Sequence, residues 1–315
     1  MKAFAQAVGF LPENIRAVLM CLPEQTAQRI SEVRLRANQP VVLVTGASSS
    51  FITISGRFTR IYSDNVMRAS PEDIACALGA FCGYSVHSCQ QSINRGFITL
   101  AGGHRAGLCG TAVSSRDGIL SLKDISCLNL RIARQFIGCS KPVFEALGAR
   151  VLCGVLLCGS PSSGKTTLLR DLVRALSSGE AGEYYKVCVV DERSEIAACS
   201  AGVAQMQLGP NTDVLNAYPK SEGILSALRS MSPQLIVCDE VGSMDDVQAI
   251  MSGLDSGVSF IAAAHAGSEE ELRSRTQIRR LMDTRAFSSI IMLESAACPT
   301  RIKRIYTYEE WSGKT

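Results

Sequence analysis

The sequence lacks several features that would place it in a specialised class of protein. It has no Cys-x-x-Cys pair, no low-complexity tract, and no apolar run close to the roughly 18 residues that a membrane helix needs. Its 13 cysteines are scattered, several of them in apolar runs, so we expect reduced core thiols and no zinc site. The N-terminal stretch has one early lysine, Lys2, but soon reaches Pro12 and Glu13, a pattern that is not typical of a signal peptide. These absences favour a cytoplasmic protein that reaches a membrane only peripherally, through partners.

A strong charge of either sign is also missing. The formal net charge is +3, and no stretch contains five basic residues in a row. Residues 1–138 nevertheless carry a net charge of +6, whereas residues 139–315 carry a net charge of −3. The scattered arginines of the first half permit nucleic-acid binding but do not indicate it. Halves of opposite charge would equally suit the docking of one half on the other half of a neighbouring subunit.

The order of the predicted elements indicates two domains. Residues 1–138 mix short strands and helices, which predicts a smaller N-terminal α+β domain. Residues 139–315 alternate strand and helix, and their strands are nearly continuous apolar runs, which predicts an α/β domain with a mostly parallel sheet. The strands of this second domain are predicted at residues 151–158, 187–190, 235–239, 258–264, 289–293 and 302–307, and its helices at 165–177, 221–230, 244–255 and 268–282.

The first domain contains one clear helix signal and two hairpin signals. Ser70 is a predicted N-cap and Pro71 a predicted first helical residue, with the helix continuing to Phe81. Hairpins are predicted about Ser55-Gly56 and about residues 101–104. Its polar residues would form either a partner contact or a solvated face; they are Arg34 and Arg36 on one strand face, and His104 and Arg105 at a hairpin tip.

The stretch "GSPSSGKT", residues 159–166, matches the phosphate-binding pattern G-x-x-x-x-G-K-[ST] in full. It follows a predicted strand and opens a predicted helix, as that chemistry requires. Glycines let successive N–H groups point at phosphate oxygens, and the helix N-terminus adds its dipole. Lys165 is predicted to reach the β- and γ-phosphates of ATP, and Thr166 to bind Mg²⁺. The predicted nucleotide contacts are Gly159, Ser160, Pro161, Ser162, Ser163, Gly164, Lys165, Thr166 and Thr167.

Carboxylates are predicted at the ends of two buried strands near this loop. In "QLIVCDEVG", Asp239 is predicted to hold the metal through its water shell, and Glu240 to position or deprotonate the attacking water. The segment "KVCVVDERSEIA" has the same pattern, an apolar strand followed by Asp191, Glu192 and Arg193. These residues would help to shape the metal and water site. For Arg193 two interpretations stay open, a pairing with the acids and a contact with the γ-phosphate.

Three further polar residues have open interpretations at this stage. His265 ends the strand "FIAAAHAGS" and is either a satisfied strand-end residue or a sensor of the γ-phosphate. Lys220 and Arg229 are predicted on either side of the helix that precedes the strand ending in Asp239 and Glu240. Arg229 is either a solvated helix cation or a residue that stabilises charge during catalysis, in the same subunit or across a subunit interface.

The loop, "VVDERSEIA", "CDE" and "AAAHAG" resemble the RecA-like motors of type II and type IV secretion and of pilus systems. The segments "EVRLRANQPVVL", "GFITLAGGHRAGLCGTAV" and "YPKSEGILSALRSMSPQLIVCDEVG" resemble more closely the stage III sporulation protein AA family of endospore-forming bacteria. That resemblance implies a RecA-like P-loop ATPase that uses ATP and Mg²⁺. It also implies a hexameric ring that works with membrane channel proteins joining mother cell and forespore. The candidates for an arginine at a neighbouring γ-phosphate are Arg131, Arg134, Arg193 and Arg229.

Other P-loop functions are also compatible with these residues. A RecA-like ATPase driven by nucleic acid is one alternative, and a small-molecule phosphotransferase is a second, although no arginine-rich lid segment is evident. A third is a nucleotide-dependent assembly scaffold with little turnover. Turnover, its dependence on nucleic acid, and the size of the assembly separate these functions.

Overall fold

A computed structural model describes residues 2–115 and 118–313 of the chain. The backbone falls into two units, one ending at Arg134 and the other beginning at Gln135. This division lies four residues before the boundary that the sequence suggests, so a domain boundary at residue 138 stays a prediction.

The first unit contains an antiparallel sheet flanked by short helices. Seven strands pair in the order β5-β4-β3-β1-β9-β8-β7, and β2 pairs with β6 in a small separate sheet. The strands are β1 Glu32–Arg36, β2 Gln39–Pro40, β3 Val42–Thr45, β4 Ser48–Ile52, β5 Phe58–Thr59, β6 Arg68–Ala69, β7 Phe97–Thr99, β8 Arg105–Ser115 and β9 Gly118–Arg131. The helices are α1 Lys2–Val8, α2 Glu13–Met20, α3 Glu24–Arg29, α4 Pro71–Phe81 and α5 Gln90–Asn94.

Local sequence signals set several of these elements. Helix α4 has the predicted bounds, because the Ser70 hydroxyl accepts from the Asp73 N–H while the Asp73 carboxylate accepts from the Ser70 N–H. Strand β1 buries Val33 and Leu35 completely while Arg34 stays half-buried on the opposite face. The alternation of "EVRLR" therefore decides which side of the strand faces the core.

One expectation for the first unit is wrong. His104 is neither a solvated residue nor an accessible partner contact, because its side chain has no exposed surface. Its Nδ1 accepts a hydrogen bond of 3.0 Å from the N–H of Ala133, just beyond the end of β9. The turn at Ala101–Gly103 therefore directs the ring inward, and burial lowers its pKa to about 4.

The second unit contains a seven-stranded sheet in the order β12-β11-β13-β14-β10-β15-β16. All its pairings are parallel except that of β15 with β16. The strands are β10 Val155–Gly159, β11 Val187–Asp191, β12 Thr212–Asn216, β13 Leu235–Glu240, β14 Ser259–His265, β15 Ser289–Leu293 and β16 Ile302–Thr307. The helices are α6 Lys141–Leu147, α7 Lys165–Ser177, α8 Lys220–Ser230, α9 Met244–Asp255, α10 Glu269–Ser274, α11 Thr276–Asp283 and α12 Tyr308–Ser312.

The α/β prediction for this unit is confirmed, with three local corrections. Strand β10 begins at Val155 because residues 148–153 form a 3₁₀ turn. Strand β12 was not predicted, since this edge strand is half-exposed and lacks a continuous apolar run. The helix predicted over 268–282 is two helices, α10 and α11, because Arg275 between them has extended backbone. None of the described helices is long and apolar enough to cross a membrane.

Candidate functional site

Four neighbouring parallel strands, β11, β13, β14 and β10, bring their carboxyl ends to one edge of the sheet. The last residues of these strands are Asp191, Glu240, His265 and Gly159, and Gly159 is the register partner of His265. In open sheets of this kind, ligands bind at the carboxyl edge. The residues singled out in four separate sequence motifs therefore meet at the same edge of the sheet.

A pocket of about 470 Å³ opens at this edge. Most of its lining comes from residues that the sequence predicts. The lining residues are Pro161, Ser162, Gly164, Lys165, Thr166, Thr167, Arg193, Glu195, Glu240, His265 and Pro299. Glu195 and Pro299 are the lining residues that sequence reasoning missed.

The loop before α7 has the backbone of a phosphate cradle. Ser162 and Gly164 have positive φ values of 61° and 92°, which curls the chain so that its N–H groups turn inward. A Cβ atom on Gly164 would lie 2.6 Å from the backbone nitrogen of Thr300, whose N–H donates to the Ser163 carbonyl at 2.8 Å. Only glycine fits this position, and the segment before β16 supports the loop from outside.

Lys165 is held inside the loop. Its Nζ donates to the carbonyls of Gly159 at 2.7 Å and Ser160 at 3.0 Å, and the residue is only 7% exposed. Burial lowers its pKa, and the charge of Glu240, whose Oε1 lies 3.8 Å from Nζ, opposes that effect. An ammonium in this position can replace its carbonyl partners with phosphate oxygens, since it carries three N–H donors.

The Glu240 carboxylate lies between two cations at the pocket. Oε1 faces Lys165, while Oε2 lies 3.8 Å from an Nη of Arg193, whose side chain is exposed at the rim. Both distances exceed hydrogen-bond length, so the carboxylate keeps lone pairs available for a water molecule. The structure therefore brings Lys165, Arg193 and Glu240 together at the pocket.

Asp239 and Glu192 do not line the pocket. Asp239 is 7% exposed, and its Oδ1 lies 2.9 Å from the Nζ of Lys220. Burial raises the pKa of Asp239, and the lysine opposes that shift. Glu192 also faces Lys220, with Oε2 at 3.4 Å from Nζ. The predicted metal carboxylate is thus paired with a lysine.

The residues present fit a magnesium ion only together with phosphate oxygens. The described residues contain no group of three or more His, Cys, Asp or Glu side chains that could hold a metal by itself. Thr166 supplies a hydroxyl in the pocket, and Asp239 supplies a buried carboxylate oxygen that has an ion pair but no hydrogen bond within the described chain. Such hard oxygen donors suit Mg²⁺, which commonly binds through one or two protein groups plus phosphates and waters.

Asp191 shapes the site indirectly. It is fully buried, and its two carboxylate oxygens each accept a 2.8 Å hydrogen bond, from the N–H groups of Glu195 and Ala197. From α7, Arg170 donates to the carbonyls of Glu195 and Ile196 at 2.7 and 2.8 Å. The backbone of Glu195 is therefore held on both sides. Asp191 therefore shapes the site without lining the pocket, and the acid that it positions there is Glu195.

The remaining candidates divide by position. His265 lines the pocket. Arg229 is exposed near the end of α8, nine residues or about 13 Å from Lys220, and lies outside the pocket lining. In the first unit, the Nε of Arg131 lies 3.3 Å from Glu32, and Arg134 donates to the carbonyl of Ile30. A role for any of these arginines at a neighbouring subunit stays a prediction.

Comparison with known proteins places these features in a family. The model of the family described as "Sporulation stage III, protein AA" matches residues 3–312. "Stage III sporulation protein AA" of Bacillus subtilis is 38% identical over 297 residues, covering 94% of this chain and 92% of that protein.

Solved structures share the fold at low sequence identity. The ATPase DotB of Yersinia pseudotuberculosis matches with a TM-score of 0.56 and 14% identity, over 92% of this chain and 79% of that chain. The pilus retraction motor PilT with bound ADP matches with a TM-score of 0.51 and 12% identity, over 85% of this chain and 76% of that chain. The fold is therefore that of the RecA-like secretion ATPases, and the chain belongs to the stage III sporulation protein AA family.

Proposed function

We propose that this protein is an ATPase of the secretion-motor type. The observation that carries the proposal is the pair formed by Lys165 and Glu240, 3.8 Å apart in a pocket lined by the phosphate-binding loop. A cation for the phosphates and a carboxylate for water are the two groups that ATP hydrolysis needs most. The fold and family match support the same activity.

The pocket residues then have distinct roles in hydrolysis. Water attacks the γ-phosphorus, the bond to the β-phosphate oxygen breaks, and ADP and phosphate leave. Glu240 orients this water and takes its proton, and Lys165 stabilises negative charge on the phosphates. Arg193 and His265 lie at the same pocket, where they can respond to the loss of the γ-phosphate. When bound, magnesium neutralises charge on the β- and γ-phosphates, and the residues that would hold it are Thr166 and, through water, Asp239.

The finer part of the proposal concerns assembly and biological role. We infer that the chain forms a ring, by analogy with secretion motors, and that a neighbouring subunit supplies an arginine to each site. Such arginines raise turnover by about 10³–10⁵, so isolated subunits should hydrolyse ATP slowly. In this role the ring energises a channel between mother cell and forespore through membrane proteins of the same sporulation system.

The test combines turnover with assembly. ATPase rates and light-scattering mass are measured together, with and without ATP, for the wild type and for Lys165→Ala. We expect turnover that rises with oligomer size and is lost in the variant. A wild-type protein that binds no ATP would refute the proposal. Rings without turnover would identify a scaffold, and steep, salt-sensitive stimulation by DNA or RNA would identify a nucleic-acid motor.

A further inference from the structure

Lys220 is a buried cation that the catalytic roles above do not use. It is the first residue of α8 and is 6% exposed. Its Nζ lies 2.9 Å from the Asp239 carboxylate and 3.4 Å from the Glu192 carboxylate, and it also donates to the main-chain carbonyl of Glu240. Two of these contacts are hydrogen bonds, to the Glu192 carboxylate and to the Glu240 carbonyl, and the contact to Asp239 is an ion pair.

These contacts join two strands of the sheet. Glu192 follows the end of β11, whereas Asp239 and Glu240 end β13, the parallel neighbour of β11. One side chain from α8 thus connects the carboxyl ends of both strands at the edge where the pocket opens. The contact to Glu240 is made to its backbone, so that the Glu240 carboxylate stays directed at the pocket.

The position of Lys220 is unfavourable without its acidic partners. The N-terminus of a helix carries partial positive charge, which repels a cation, and burial removes the hydration of the ammonium. The carboxylates of Asp239 and Glu192, at 2.9 and 3.4 Å from Nζ, supply the negative charge that compensates for both effects. The lysine is therefore retained charged at a place where an apolar residue would otherwise be preferred.

We infer that Lys220 is the positioning residue of this acidic edge. It fixes the backbone at Glu240, so that the catalytic carboxylate aims into the pocket, and it holds Asp239 out of the pocket lining. Its effect on turnover rests on the proposed ATPase function, whereas its effect on the backbone does not. The two parts of the inference therefore have separate readouts.

The first readout is hydrogen exchange of the nucleotide-free protein. Lys220→Met keeps the aliphatic stem of the side chain and removes its charge. The control is Lys186→Met, which alters an exposed lysine just before β11, at the end of that strand away from the pocket. We expect faster exchange in the peptide covering residues 235–243 for Lys220→Met only. Unchanged exchange in that peptide would overturn the inference, whether or not the protein hydrolyses ATP.

The second readout separates positioning from simple charge compensation. Lys220→Met should lower kcat about tenfold or more while the Kd for ATP in EDTA stays within about twofold of wild type. Lys220→Arg should recover part of the lost kcat. A lower unfolding midpoint in Lys220→Met with kcat at the wild-type value would show that the lysine only balances charge. A wild type without turnover would instead count against the ATPase proposal, and the exchange result would still decide the role of Lys220.

Discussion

The carboxylate of Asp171 accepts hydrogen bonds from both the N–H and the hydroxyl of Ser140, at 2.8 and 2.6 Å. The same carboxylate accepts from the Gly138 N–H at 3.1 Å and from the Nε of Arg174 at 2.8 Å, and it is fully buried. Asp171 lies on α7, six residues after Lys165. The helix that begins at the pocket thus also fixes residues 138–140, near the start of its own unit.

Removal of this carboxylate should be strongly destabilising. Asp171→Ala leaves the buried guanidinium of Arg174 and several N–H groups with fewer acceptors, which costs about 3–5 kcal/mol of unfolding free energy. Urea unfolding measures the change, and Asp283→Ala, at an exposed position on α11, is the matched control. A loss below about 1 kcal/mol would show that water replaces the carboxylate at this point.

Glu240→Gln should separate ATP binding from ATP cleavage. The amide keeps the size of the side chain and cannot take a proton, so kcat should fall about 10²- to 10⁴-fold while the nucleotide stays bound. Single-turnover cleavage and fluorescent-nucleotide binding measure the two quantities. Glu309→Gln, an exposed residue of α12, is the control. Cleavage by Glu240→Gln at the wild-type rate would rule out the catalytic role assigned to this carboxylate.

Gly164→Ala should impair the phosphate loop through two physical effects. The residue has a φ of 92°, and its Cβ would lie 2.6 Å from the Thr300 nitrogen. Gly182→Ala is the matched control, because Gly182 also has a positive φ of 101° but has no atom within 4 Å of the added Cβ. We expect both variants to lose about 1 kcal/mol or more of unfolding free energy, and only Gly164→Ala to lose nucleotide affinity. Equal nucleotide affinity in both variants would show that the Thr300 contact is not needed.

The buried His104 should make stability depend on pH. Burial lowers the pKa of His104 in the folded protein to about 4, against 6.5 for an ordinary histidine. Between these pH values the unfolded chain binds a proton at His104 that the folded chain does not bind. The free energy of unfolding is therefore not reduced by His104 above pH 6.5, and it falls as the pH drops from 6.5 toward 4. At pH 4.5 the free energy of unfolding lost because of His104 is about 2–3 kcal/mol.

The comparison with His104→Gln isolates this effect from the titration of carboxylates. Denaturant unfolding at pH 7 and pH 4.5 should give a smaller loss of stability in the variant than in the wild type. An identical pH dependence in both proteins would mean that the ring is protonated without cost in the fold.

Much of the site could be predicted because its residues belong to local patterns. The spacing of Gly159, Gly164 and Lys165 between an apolar run and an amphipathic helix is sufficient to indicate a phosphate loop. The continuous apolar runs before Asp239 and Asp191 predict buried parallel strands, and strand ends of that kind meet at one edge. Periodicity and capping likewise set helix α4 and helix α7, since those signals act within a few residues.

Other features depend on contacts between distant parts of the chain. Whether Asp191 faces a ligand or two backbone N–H groups depends on the path of the loop up to Ala197, which has no periodic signal. The pairing of Asp239 with Lys220, and the inward turn of His104, likewise follow from packing across the sheets. The sequence by itself determined the phosphate loop and most of the strands and helices of the second unit, because those depend on neighbours along the chain. Only the tertiary structure decided which acid faces the pocket and which is neutralised beside it, because charge and burial depend on neighbours in space.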